Sequence, residues 1–174
     1  MRLLIAIFIL FSLTGFEETK PEVDVKDYSY RLKAAFIYNF ATLVDWPSNR
    51  KTGDFVIAVY GDENVYQELK TRYSVKSVGS QKVKIVKYSS ATEIAKSHIL
   101  FVGEEKGKDL STAKSKTSSY NTLLVSEAKG GLSKGAIINF IGPGGVNYEI
   151  SKTNAKKHDL VVASRLLNLA KKVE

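Results

Sequence analysis

A chain of 174 residues holds one packed domain and a short leader, and is too short for two comfortable domains. Lysine and arginine outnumber aspartate and glutamate by 26 to 18, a formal charge of +8, yet the longest basic runs are only pairs, such as Lys156-Lys157 and Lys171-Lys172. Charge spread this thinly describes a solvated surface and not the concentrated basic face of a nucleic-acid binder, and the lack of any cysteine excludes disulfides, thiol nucleophiles and cysteine-ligated zinc.

Met1-Arg2 is followed by the apolar run LLIAIFILF and then by the small and polar residues SLTG. One positive residue, a short apolar core and small residues after it predict a secretory signal peptide over 1–15. The run is too short to cross a bilayer, which takes about 20 apolar residues; a buried N-terminal strand or helix is the alternative. Residues 16–27 are acidic and polar and read as a linker, leaving 28–174 as the domain. KAAFIYNFATLVDWP, residues 33–47, lies in a predicted helix over 30–45, with Phe36, Phe40, Leu43 and Val44 on one stripe and Pro47 closing it. The rest of its surface is small or amphipathic, so the helix must be covered on more than one side. Tyr38 and Trp46 on the second side are candidates for packing a second subunit or a partner.

FVIAVYG (55–61) is a core strand, 63–73 a polar helix with Val65, Tyr66 and Leu69 inward, and 82–88 an alternating strand. A helical turn at 91–95 leads to the core strand HILFVG (98–103), a helix over about 108–117 and the strand NTLLVS (121–126). Strand and helix in alternation predict βαβ units and a largely parallel sheet. GAIINFI (135–141) and VNYEI (146–150) flank Gly142-Pro143-Gly144-Gly145, a hairpin signal. Ser151 caps a short helix through His158, and Val162, Leu166, Leu169, Ala170 and Val173 predict one C-terminal helix. The expected fold is α/β: a single three-layer domain, with a mostly parallel central sheet, a C-terminal antiparallel hairpin and flanking helices.

No catalytic constellation stands out. His98 opens a core strand, where a histidine is usually structural, and His158 in KKHD reads as surface. No G-x-S-x-G elbow or HExxH pair occurs, and GEEKGKD (103–109) lacks the spacing of a phosphate loop. We therefore expect no catalytic residue, cofactor or metal. Glu149 needs a reason to sit in a strand: it faces solvent by alternation or pairs with a base such as Lys157 or Arg165.

In order along residues 30–173, KAAFIYNFATLVDWP, a strand ending in Gly-Asp, SHILFVG, AKGGLSKGAIINF, YEIS-KTNA and LVVASRLLNLAKKV closely resemble the YfiR family. The Trp-Pro helix end and the S-R-L-L segment are the most specific parts. The resemblance implies a periplasmic regulator without chemistry of its own, which represses an inner-membrane diguanylate cyclase through its periplasmic sensor region and so lowers cyclic di-GMP and biofilm formation. It also implies a possible homodimer and, for relatives beside sensor kinases, a different downstream enzyme. By matching position, Glu149, Lys156, Lys157 and Arg165 are the implied partner contacts. Many relatives carry cysteine where this chain has Ser97, so redox switching by that route is closed here. The alternative function is a periplasmic sensor of a small molecule or anion, built on glycine-rich turns and lysines and coupled to a sensor kinase. An enzyme and a basic scaffold for anionic lipid or polysaccharide rank below these.

Overall fold

The computed structural model describes residues 25–142, 144 and 147–174. The predicted leader, and the tip of the hairpin at 143 and 145–146, lie outside the described residues. α1 (Val25–Leu43) begins three residues inside the stretch read as linker and precedes β1 (Val44–Asp45), β2 (Phe55–Tyr60), α2 (Glu63–Tyr73), β3 (Ser77–Val78) and β4 (Gln81–Tyr88). β5 (Ile99–Val102), α3 (Leu110–Thr117), β6 (Leu123–Ser126), β7 (Ile138–Ile141) and β8 (Asn147–Ile150) follow. α4 (Lys152–Lys157), β9 (Val161–Val162), α5 (Ser164–Leu169) and β10 (Lys172–Val173) end the chain.

Eight strands form one sheet in the order β10-β8-β7-β6-β5-β2-β4-β3, and β1 pairs with β9 in a separate two-stranded ribbon. The central run β7-β6-β5-β2-β4 is parallel, whereas β8 runs antiparallel to β7 and β3 antiparallel to β4. The continuous apolar strands are explained by cover on both faces. Ile57, Val59, Ile99, Phe101, Leu123 and Val125 point to one core, shared with Ile37 and Phe40 of α1, Leu69 of α2 and Leu166 of α5. Ala58, Tyr60, Leu100, Val102 and Leu124 point to the other, closed by Leu110 and Ala113 of α3. This is the expected three-layer α/β domain. Among the described residues no helix is long and apolar enough to cross a membrane.

α1 buries most of its apolar residues because it lies on the sheet and touches both α2 and α5, with Arg31, Asn39 and Thr42 left exposed. Its fully buried residues are Ala34, Ile37, Phe40 and Ala41, and Phe40 meets Tyr148 edge-on at 5.3 Å and Phe140 at 5.8 Å. The helix stops at Leu43, two residues earlier than its periodicity predicts, because Val44 and Asp45 pair with Val162 and Val161. The C-terminal segment departs further. In place of one helix, Ala163 and Ala170 are extended and bracket a six-residue α5. Backbone bonds explain the break: Ala163 N–H donates to Leu43 O at 2.9 Å, Lys171 N–H to Tyr148 O at 2.8 Å and Glu174 N–H to Ile150 O at 2.9 Å. Strand partners distant in sequence override the local helical stripe.

The order in which strands are added reverses at β2, since β4 lies on one side of β2 and β5 on the other. That is the switch point beside which doubly wound sheets leave a crevice at their carboxyl ends. Here the loops leaving β2 and β5 touch: a Cβ on Gly103 would collide with the carbonyl of Gly61, which itself has φ +84°. The crevice is therefore displaced toward β6 and β7.

Candidate functional site

The segment from α4 to α5 exposes two large apolar side chains, Val161 and Leu169. Ser151 Oγ accepts from Asn154 N–H at 3.1 Å and starts α4, and the Asn154 side-chain amide donates to Leu132 O and Ala136 O at 3.0 and 2.9 Å. The last two bonds lock α4 to the turn before β7. The chain then reverses through Asp159, φ +52°, whose carboxylate accepts from Asn121 Nδ2 at 3.1 Å. His158 is pulled inward by the same reversal: it is 6% exposed, not a surface residue, and burial lowers its pKa. β9 emerges from the turn with Leu160 buried and Val161 66% exposed.

Between α4, β9 and α5 lies a groove of about 440 Å³, with Leu160, Val161, Val162 and Leu167 on its walls and Lys152, Lys156 and Asp159 on its rim. Leu169, 62% exposed, lines a neighbouring cleft of about 170 Å³ between α1 and α5. The groove is held rigidly, because Tyr148 donates its hydroxyl proton to Leu166 O at 3.0 Å and ties α5 to the sheet. An apolar channel with two lysines and one aspartate at its edge suits an apolar peptide segment flanked by acidic residues. No group in it is placed for proton transfer or nucleophilic attack.

The structure disperses the residues singled out from the sequence. Lys156 rims the groove, Lys157 is exposed one position beyond it, and Arg165 lines the smaller cleft. Glu149 belongs to another site and pairs with neither Lys157 nor Arg165. Its carboxylate accepts from Asn139 Nδ2 at 3.0 Å, and Asn139 Oδ1 accepts from the Ser126 hydroxyl. That chain of bonds crosses the sheet from β6 to β8 and floors a cavity of about 330 Å³ off the carboxyl ends of β6 and β7, which Glu104 and Glu127 also line. Nearby, Lys33 of α1 meets Glu127 at 2.7 Å with both side chains largely buried. Burial pushes the Glu127 and Asp62 carboxyls above their ordinary range, and Lys33 opposes the rise at both.

Tyr38 is half-buried, stacked on Tyr73 at 4.6 Å, and donates to Ser77 O at 3.0 Å, so it braces α1 against the start of β3. Trp46 is 5% exposed and packs edge-on against Phe55 at 5.0 Å. In the isolated chain it supports the fold from inside. Sequence reasoning missed the exposure of Val161 and Leu169, which only the broken C-terminal helix creates. It also passed over Lys33 and Arg50, whose burial had one legible sign: a lysine at the head of an otherwise apolar helix.

A family model described as YfiR/HmsC-like matches residues 30–171. No curated protein matches the chain. Among solved structures, the ABC domain in complex with L-Trp from Streptococcus pneumonia has a TM-score of 0.55 at 13% identity, covering 82% of this chain and 60% of that one. A conserved domain protein from Vibrio cholerae O1 biovar eltor has a TM-score of 0.57 at 11% identity, with the same two coverages, 82% and 60%. The chain thus spans about 60% of the length of these structures, and at such identities the likeness concerns the fold alone.

Proposed function

The chain belongs to the YfiR/HmsC-like family, and from that premise we propose that it is a periplasmic regulatory binding protein. In this reading it modulates, by repression, an inner-membrane signalling enzyme such as a diguanylate cyclase, and it acts through that enzyme's periplasmic sensor region. The observation that carries the reading is the groove between α4, β9 and α5, with Val161 66% exposed beside it and Lys152 and Lys156 on its rim. A firmly braced apolar groove with an exposed valine on its wall suits a segment of another protein.

Repression then needs no chemistry. A regulator that binds the inactive conformer of its partner more tightly than the active one shifts the balance by the difference, and moving it from 1:99 to 99:1 takes about 5.5 kcal/mol. Glu149, Lys157 and Arg165 are less suited to direct contact than Lys156, because Glu149 serves the sheet and Lys157 stands outside the groove. The same surface serves a sensor kinase as the downstream enzyme.

The test is retention of a membrane partner. Tagged residues 16–174 are offered to detergent-solubilised membranes of the source organism, and retained proteins are identified. A Lys156→Glu, Val161→Glu variant, shown by its circular dichroism to be folded, is the control. Retention of one cyclase or sensor kinase, weakened at least about tenfold in the variant, is the expected result. Equal retention by both proteins would move the interface elsewhere. Failure to retain any membrane protein at low and moderate salt would remove the regulatory reading.

A further inference from the structure

At the amino ends of β2 and β5 lies a second polar cavity, of about 200 Å³, which the groove and the carboxyl-end network leave untouched. Arg50 and His98 form its buried part, and Asn49, Thr52, Asp54 and Lys96 form its exposed rim. Arg50 is 5% exposed, and its Nη2 donates to Ser97 O at 2.7 Å. Its Nε is buried without a partner. Among the described residues no carboxylate lies within the 4.0 Å ion-pair distance of its guanidinium.

A cation withdrawn from water without a counter-charge is costly, which is why buried charges are nearly always paired. The surroundings nonetheless hold Arg50 in place. His98 is neutral, with Nδ1 accepting from Val56 N–H at 3.0 Å and Nε2 therefore donating to Arg50 O at 2.8 Å. Gln81 Nε2 donates to the same carbonyl at 3.1 Å, and the imidazole stacks on Phe55 at 4.3 Å. Two donors thus clamp the backbone of Arg50, and its side chain is tethered to Ser97. With His98 neutral, Arg50, Lys96 and Asp54 leave the cavity with one net positive charge.

We propose that this cavity is a binding site for a small oxyanion, with the Arg50 guanidinium as its counter-charge and the Lys96 ammonium as a second contact at the rim. A guanidinium meets carboxylate and phosphate oxygens in paired, charge-assisted hydrogen bonds. The net positive charge attracts anions, and Asp54 on the rim offsets part of that attraction. The assignment does not depend on the regulatory reading of the groove.

The probes are sodium acetate and sodium phosphate, titrated into the protein at pH 7 and constant ionic strength, with chloride as the balancing anion. The readouts are the His98 ring resonances by NMR, which report on this cavity, and the melting temperature. Saturable His98 shifts with an oxyanion but not with chloride are expected. Affinity falls about tenfold in Lys96→Glu, an exposed position, and binding disappears in Arg50→Met. Absence of saturable His98 shifts with both oxyanions, or an unchanged affinity in Lys96→Glu, would overturn the assignment whether or not Arg50→Met folds.

Discussion

The two ends of the central sheet each bury one cation, and they treat it in opposite ways. At the carboxyl end Lys33, 9% exposed, closes on Glu127 at 2.7 Å. At the amino end Arg50, 5% exposed, has a carbonyl, a neutral imidazole nearby and no carboxylate. The paired charge is complete within the fold and belongs to its architecture. The unpaired one is incomplete, and what completes it must come from outside. A buried charge is therefore informative about ligands in proportion to what its own fold fails to supply.

The largest effect should come from breaking the complete pair. Glu127→Ala leaves Lys33 buried alone and is expected to destabilise the protein by about 3–5 kcal/mol in urea titrations. Replacing both partners, Lys33→Met with Glu127→Leu, should recover most of that loss. If the single and double variants are equally unstable, the contrast between the two ends collapses.

Next in size is the pH response of the amino end. Burial and the neighbouring Arg50 lower the His98 pKa from 6.5 to about 4, although its bond to the Arg50 carbonyl works the other way. Between these two values the unfolded chain holds a proton that the folded chain refuses. The stability from this group is therefore complete above about pH 6.5 and is lost as pH falls toward 4, by up to about 3 kcal/mol. Comparing wild type and His98→Asn by denaturant midpoint at pH 7 and pH 4 isolates it: the gap between them should narrow in acid. A gap that stays constant would mean that His98 titrates normally.

The smallest effect sharpens the comparison from the other side. In chloride buffer Arg50→Met removes an uncompensated charge and one hydrogen bond to Ser97 O, a carbonyl that still accepts from the Thr122 hydroxyl at 2.8 Å. Its expected cost is below about 1 kcal/mol, or a slight gain. A loss as large as that of Glu127→Ala would show that Arg50 is as structural as Lys33.

Much of the fold was legible because its signals are local. FVIAV and ILFV read as strands since both faces of the sheet are covered, and Val65 and Leu69 mark the inner side of α2 by spacing alone. The misreadings share one cause. Val44 continues the α1 stripe, and Val162, Leu166 and Val173 continue a helical one, but β8 and the β1–β9 ribbon capture those backbones from far away in sequence. The sites were less legible still. Glu149 reads from the sequence as either solvent-facing or paired with a base, whereas its carboxylate is bonded by Asn139 across the hairpin. Arg50 carries no pattern at all, because its meaning lies in the absence of a carboxylate, which only the folded arrangement can reveal.

The margins of the sheet bear on how copies of this protein meet. Both outermost strands, β3 and β10, are only two residues long. Beyond β3 the long strand β4 presents Lys82 and Lys84 to solvent. Two molecules approaching margin to margin along β4 would bring rows of ammonium groups together. Strand-by-strand polymerisation is thereby disfavoured.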